Sequence, residues 1–423
     1  MIKKWPLLIV VIVALGVGSC AKLTLAWADL KPDGPAARPE ALGAFGSQAP
    51  VASLEDWTVL RRPALKEALQ ANIYGYFPDS YKLTVLDRKL LDENAFGGGR
   101  LEEYKLRAQL QFGETSSETE TFYMDVVTPA GSPNAPVILI QTFCPRWDTL
   151  PHPAVYRPEG AGGCGGGPAT GVMTYVFGRY IATPPTQMIL ARGYAVATIY
   201  PSEFAPDDKD EGLAALKQMS AGLAPDKQRW GAIAAWAWGY SLMIDALEQD
   251  AEGPRDYISW GHSRYGKSAL LAAAFDDRIS AVISHQSGTG GASLNRQKKG
   301  ESVKAIIDAF PHWFAKAYEK YAGEEETMPI DQHQLLALIA PRPVLLGNAR
   351  RDVWSDPNGA FRAAVGADPV YKLYGAQGLD QNRLDIWEPA ADLAYWIRPG
   401  THGVVKEDWP AFLEFLDAHF LKK

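Results

Sequence analysis

Asp256-Tyr257-Ile258-Ser259-Trp260-Gly261-His262-Ser263-Arg264-Tyr265-Gly266-Lys267, followed by the alanine-rich run Ser268 to Phe275, decides how this 423-residue chain folds. Asp256 to Trp260 reads as a short buried strand, and Lys267 to Phe275 has the composition of a helix packed close to a sheet. Gly261 and Gly266 flank Ser263 between them. Glycines let the backbone turn sharply and keep neighbours away from the hydroxyl, so Ser263 is expected at the tip of a strand-to-helix turn, where a nucleophile is presented. The spacing is G-x-S-x-x-G, one residue longer than the usual elbow pattern, so the strand, turn and helix around it carry the reading.

Outward from this turn the same alternation recurs. Short apolar runs at 135–141, 195–200, 281–284 and 343–347 are separated by helix-like segments at 212–222, 230–249, 267–276, 303–321 and 333–339. Buried strands alternating with helices imply a mainly parallel sheet covered on both faces. Upstream, 57–69 reads as a helix, and polar turns link strands near 82–90, 101–112 and 119–128, the antiparallel start of the sheet. The predicted class is therefore α/β: a three-layer α/β-hydrolase sandwich in a single catalytic domain over 51–423. The stretch 142–187 has no regular period and is expected to be a loop or lid.

With 47% hydrophobic and 22% charged residues the chain is globular, and its net charge of -7 offers no basic stripe for nucleic acid. Metal-ligand spacings such as CxxC or HExxH do not occur, and the glycine run 160–167 lacks the phosphate-loop pattern, so neither metal nor other cofactor is expected. A monomer is favoured. Residues 1–20 resemble a lipoprotein signal: Lys3-Lys4, an apolar run, then Val17-Gly18-Ser19-Cys20, with Cys20 as the lipidated N-terminus. The alternative is an uncleaved anchor reaching about Trp27. The catalytic body is then exported, in the periplasm or held to the outer membrane of a Gram-negative bacterium. Residues 21–50, rich in Pro, Gly and Ala, read as a flexible tether. Cys144 and Cys164 remain as an even pair in an oxidising compartment, either free or joined to pin the 142–187 loop.

A serine hydroxyl needs an imidazole to take its proton, and the imidazole needs a carboxylate to fix its tautomer. On this scaffold the partners follow in the order serine, acid, histidine. Of seven histidines only His402 and His419 lie far enough downstream, and His419 sits in an amphipathic terminal helix, whereas His402 lies in a glycine-flanked loop after a strand. Asp352 follows the 343–347 strand most closely, with Asp356 as the fallback. The predicted triad is Ser263, Asp352 and His402. The N–H of Arg264 and a donor after Gln141-Thr142-Phe143-Cys144 are the expected oxyanion donors, and Lys267 lies one turn beyond the serine.

The segment Gly261-His262-Ser263-Arg264-Tyr265-Gly266-Lys267 resembles the nucleophile segment of the glucuronoyl esterases, carbohydrate esterase family fifteen. The likeness extends through Arg61-Arg62-Pro63, Arg192-Gly193-Tyr194, Trp230-Gly231-Ala232, Ser287-Gly288-Thr289-Gly290-Gly291, His312-Trp313-Phe314 and Asp331-Gln332-His333, over 54–423 except the 142–187 loop. The resemblance implies Ser263 as nucleophile, Arg264 as oxyanion stabiliser, His402 as base, and Lys267, Glu301 and Trp354 as sugar contacts. Read without it, these last three are a solvated helix charge, a surface carboxylate and a packing indole. Many members carry a catalytic Glu where this chain has Gln286, so the acid should be Asp352, which some bacterial members place in an Asp-x-Trp segment like Asp352-Val353-Trp354. The implied function is hydrolysis of uronic acid esters, specifically 4-O-methylglucuronoyl esters linking xylan to lignin alcohols. The alternatives are an acetyl esterase and a degenerate carbohydrate-binding lipoprotein.

Overall fold

The computed structural model describes residues 27–164, 168–249, 253 and 255–421; the signal segment and Cys20 lie outside the described residues. Its strands are β1 (Ser80–Ala95), β2 (Gly99–Phe112), β3 (Thr115–Glu118), β4 (Phe122–Pro129), β5 (Val137–Gln141), β6 (Ala195–Ile199), β7 (Tyr257–His262), β8 (Ile279–His285), β9 (Val344–Ala349) and β10 (Leu393–Arg398). They form one sheet in the order β1-β2-β4-β6-β5-β7-β8-β9-β10, with β3 on β2. The pairs from β6 through β10 are parallel, and the joints among β1 to β4 and from β4 to β6 are antiparallel. The strand expected over 119–128 is β4 and starts at Phe122; before it Thr119 Oγ1 accepts the Ala108 N–H at 3.1 Å, between β4 and the short β3 that was not expected.

The parallel strands are apolar along their length because both faces are covered. In β5, Val137 and Leu139 enter one core while Ile138 and Ile140 enter the other; in β9, Val344 and Leu346 oppose Leu345 in the same way. Side chains alternate across a strand, so two cores on one strand mean helices above and below. Helices α1 (Arg62–Leu69), α3 (Ala232–Glu248), α4 (Arg264–Phe275), α5 (Gln332–Ala337) and α6 (Pro357–Leu373) pack on the first core. On the second lies α7 (Asp408–Leu416), where Trp409 stacks on Trp260 at 5.2 Å.

Two stretches differ from expectation. The 142–187 segment contains a helical turn at Arg146–Thr149 and the helix α2 (Pro168–Phe177). Residues 27–50, read from composition as a tether, lie against the body instead, with Ala37 and Ala41 buried. Their backbone carbonyls accept from body cations: Ala41 and Ala49 from Arg61, Pro35 from Arg362, Arg38 from Arg296, and Ala28 from Arg350. A chain without ladder or helix bonds has carbonyls free for this, and buried guanidinium groups require acceptors.

Candidate active site

Ser263 follows the last residue of β7 and caps α4, with φ 57° and ψ -122°. A non-glycine residue held at positive φ costs about 1–3 kcal/mol and is retained mainly where function needs it. The turn is fastened to β8 by the Ser263 N–H, which donates to His285 O at 2.8 Å. Gly261 is obligatory: a Cβ there would stand 2.0 Å from the Tyr265 carbonyl oxygen. The first N–H groups of α4, starting at Arg264, have no intrahelical acceptor and present the positive end of the helix next to the hydroxyl.

Ser263 and His402 line the same cleft, of about 650 Å³, with Phe143, Cys144, Met173, Phe177, Ile181, Tyr200, Asp207 and Arg264 among the other walls. His402 Nδ1 lies 2.7 Å from Asp352 Oδ2 and 3.4 Å from Ser355 Oγ. Asp352 therefore fixes the tautomer that leaves Nε2 unprotonated and able to accept. Burial works against the Asp352 charge, but the His402 charge and hydrogen bond, with hydrogen bonds from Ser355, outweigh it and hold the carboxyl below the usual range. The fallback acid, Asp356, is otherwise engaged: its Oδ1 accepts from Gly359 N at 2.9 Å, capping α6, and its Oδ2 from Lys299 N at 3.1 Å. His419 packs its ring on Phe415 at 4.8 Å in the terminal helical segment.

Arg264 pairs with Asp207, and its guanidinium lies 4.8 Å from the Trp313 ring centre and 5.0 Å from that of Phe143. Asp207 also accepts from His312 Nε2 at 2.9 Å and Trp313 Nε1 at 2.8 Å. These three partners were not singled out as site residues, because Asp207 stands in Pro206-Asp207-Asp208-Lys209-Asp210, where no spacing marks one acid from another.

Lys267 is buried, with Nζ donating to the carbonyls of Ser287 and Thr289 at 2.6 Å each; burial, partly countered by Glu301, pushes its ammonium down to about 8. Trp354 is exposed and donates from Nε1 to Glu301 Oε1 at 3.2 Å. None of the three lines the cleft just described. Cys144 and Cys164 are joined by a disulfide, and Cys144 lies on the cleft wall. No group of side chains among the described residues is arranged to hold a metal ion.

The family model described as glucuronyl esterase, fungi, matches residues 172–375. A carbohydrate esterase of an unknown prokaryotic organism is 35% identical over 388 residues, 87% of this chain and 86% of that protein. A 4-O-methyl-glucuronoyl methylesterase of Wolfiporia cocos is 33% identical over 154 residues, 34% of this chain and 38% of that one. The solved structure of a glucuronoyl esterase from Solibacter usitatus superposes with a TM-score of 0.73 at 30% identity, covering 92% of this chain and 99% of the other. With the parallel sheet, the serine at its elbow and a full-length relative at this identity, the chain belongs to the glucuronoyl esterases, the ester hydrolases of carbohydrate esterase family fifteen.

Proposed function

We propose that this protein is a serine carboxylesterase for uronic acid esters, with 4-O-methylglucuronoyl esters of xylan to lignin alcohols as its natural class. The observation that carries this is the 2.7 Å pair of His402 Nδ1 and Asp352 Oδ2, set in the same cleft as an elbow serine. Ser263 Oγ attacks the ester carbonyl as His402 Nε2 takes its proton. The oxyanion is held by the Arg264 N–H and guanidinium, and collapse of the intermediate expels the alcohol with the proton from His402. Water, deprotonated by His402, then releases the uronic acid from Ser263. Asp352 orients His402 and balances its charge throughout. Lys267, Glu301 and Trp354 take the sugar side, as the family resemblance implies. Phe143, Met173, Phe177 and Ile181 supply an apolar wall suited to a bulky aromatic alcohol.

Export and lipidation of Cys20 belong to the same proposal. The Cys144–Cys164 disulfide supports an oxidising compartment.

Turnover of benzyl glucuronate against an aryl acetate tests the substrate class: the uronate ester is expected to have the higher kcat/KM, and the reverse order would make this an acetyl esterase. Ser263→Ala should abolish turnover and fluorophosphonate labelling. Asp352→Asn should lower kcat by about 10³–10⁴, the loss expected when the orienting carboxylate of a triad is neutralised. Full activity in either variant would overturn the assignment, and sugar binding without labelling of the native protein would indicate a degenerate, binding-only member.

A further inference from the structure

Gln286 stands one residue past the end of β8, fully buried and at φ 49°, a second non-glycine residue of the site held in the left-handed region. Its neighbours are all three loops of the triad. The residue before it, His285, accepts the Ser263 N–H at 2.8 Å, and the Gln286 N–H donates to Gly347 O at 2.8 Å, within the strand that leads to Asp352. Ser355 Oγ, which faces His402 Nδ1 at 3.4 Å, lies 3.5 Å from Gln286 O. The side-chain amide reaches the third loop, where Oε1 accepts from Gly403 N at 2.8 Å and Nε2 lies 3.4 Å from Thr401 O. These two contacts bracket His402. Only this orientation of the amide serves both partners, one a donor and the other an acceptor.

We propose that Gln286 is a positioning residue for His402, an amide clamp on the backbone either side of the base; the inference rests on the esterase reading given above. The charge at Nδ1 comes from Asp352, so position 286 is free to hold the loop, and an amide does this where a carboxylate does not. A carboxylate accepts from Gly403 N but turns a lone pair toward the Thr401 oxygen. The loop is also held by Arg398, which donates to Pro399 O at 3.0 Å, Thr401 O at 3.3 Å and Gly403 O at 2.7 Å and whose Nε bonds Asp408 Oδ1 at 2.9 Å, and at its two ends by Arg351 N on Gly400 O at 2.8 Å and Val404 N on Phe177 O at 2.7 Å. Arg398 and Asp408 hold the loop to β10 and α7. Gln286 bonds the two residues on either side of His402 and ties them to the strands that carry the nucleophile and the acid.

The test uses full-length protein and benzyl glucuronate. Gln286→Met keeps the buried volume and removes both side-chain bonds. It is expected to lower kcat about 10–100-fold, the cost of misplacing a reacting group by about 1 Å, with KM changed less than about 2-fold and the rate of fluorophosphonate labelling of Ser263 lowered in parallel. Gln286→Glu keeps the acceptor for Gly403 N and should recover part of that loss. A Gln286→Met variant with native kcat, or one whose loss lies wholly in KM, overturns the proposal. So does a Gln286→Glu variant with kcat at or above the native value, which also decides the matter if Gln286→Met does not fold. Native activity in Gln286→Met beside inactive Ser263→Ala would sink the clamp alone; full activity in Ser263→Ala would sink the esterase reading itself.

Discussion

Arg264 shows how one side chain acquires a fixed direction. A guanidinium one residue past a nucleophile has about 2 kcal/mol of rotamer entropy to lose before it can serve an oxyanion. Here Asp207 pairs with it while Trp313 and Phe143 stack beside it. Burial opposes the Asp207 charge, but hydrogen bonds from His312, Arg264 and Trp313 with the Arg264 charge outweigh it, so the carboxyl is held below its usual range. A depressed carboxylate contributes its full stability above the unfolded pKa of about 4 and loses it only as pH falls through the folded value, so the pair stays intact at any neutral assay pH. Asp207→Asn should therefore lower kcat about 10-fold or more at pH 7 while KM changes less, since the direction of Arg264 matters most in the transition state. Kinetics within about 2-fold of native would mean that the aromatic rings around it, Trp313, Phe143 and Phe310, aim Arg264 without the carboxylate. The places of Ser263, Asp352 and His402 after strands, in the order serine, acid, histidine, were legible in the sequence because they are local facts. Asp207 was not, since it meets Arg264 across a separation of 57 residues that leaves no trace in spacing.

Among the elements, α2 supplies part of the apolar wall proposed for the alcohol. Met173 and Phe177 face the cleft, and the helix ends on the loop of the base: Val404 N donates to Phe177 O at 2.7 Å and Tyr180 N to Val404 O at 2.9 Å. The approach is so close that a Cβ on Gly403, at φ 149°, would stand 2.1 Å from Phe177 O. The disulfide, with a sequence separation of 20, joins Cys164, four residues before the start of α2, to Cys144 on the cleft wall. Cross-linking a loop of that length stabilises by about 3 kcal/mol. The double variant Cys144→Ser/Cys164→Ser is expected to unfold at lower temperature and to lose selectivity for benzyl over methyl glucuronate, read as the ratio of kcat/KM values. An unchanged ratio would show that α2 holds its place without the cross-link. Elements were legible in proportion to how continuous their patterns are. The parallel strands β5 to β9 are short apolar runs and were readable; β10 was read only as a strand end before His402, and α6, with Gly359, Gly366 and Pro369 inside it, was missed despite Pro357 at its start.

For the molecule as a whole, the segment 27–50 is the largest departure from the sequence reading. Nothing in its composition has a period, so it read as a tether, yet what binds it is the backbone rather than the side chains. Arg61, nearly inaccessible to solvent, donates to Ala41 O at 3.1 Å and Ala49 O at 3.0 Å; Arg362 and Arg296 donate to Pro35 O and Arg38 O at 3.1 and 2.8 Å, and His333 Nε2 lies 2.7 Å from Pro39 O. Near its start, Ala28 N donates to Arg350 O at 2.8 Å, two residues before Asp352. Arg350 and Arg351 flank the Trp27 ring at 5.1 and 5.2 Å. Removing the segment leaves these cations to water, and hydrogen bonds to charged groups contribute about 1.5–3 kcal/mol each net of that exchange. A chain starting at Trp27 should match the full-length protein in thermal midpoint and kcat. One starting at Ala52 should melt lower by about 5 °C or more, given a few degrees per kcal/mol for a domain of this size. It should also lose kcat, because the loop bearing Asp352 is no longer backed by Ala28 and Trp27. Equal midpoints for the two chains would restore the tether reading, with the carbonyl contacts contributing nothing to the fold.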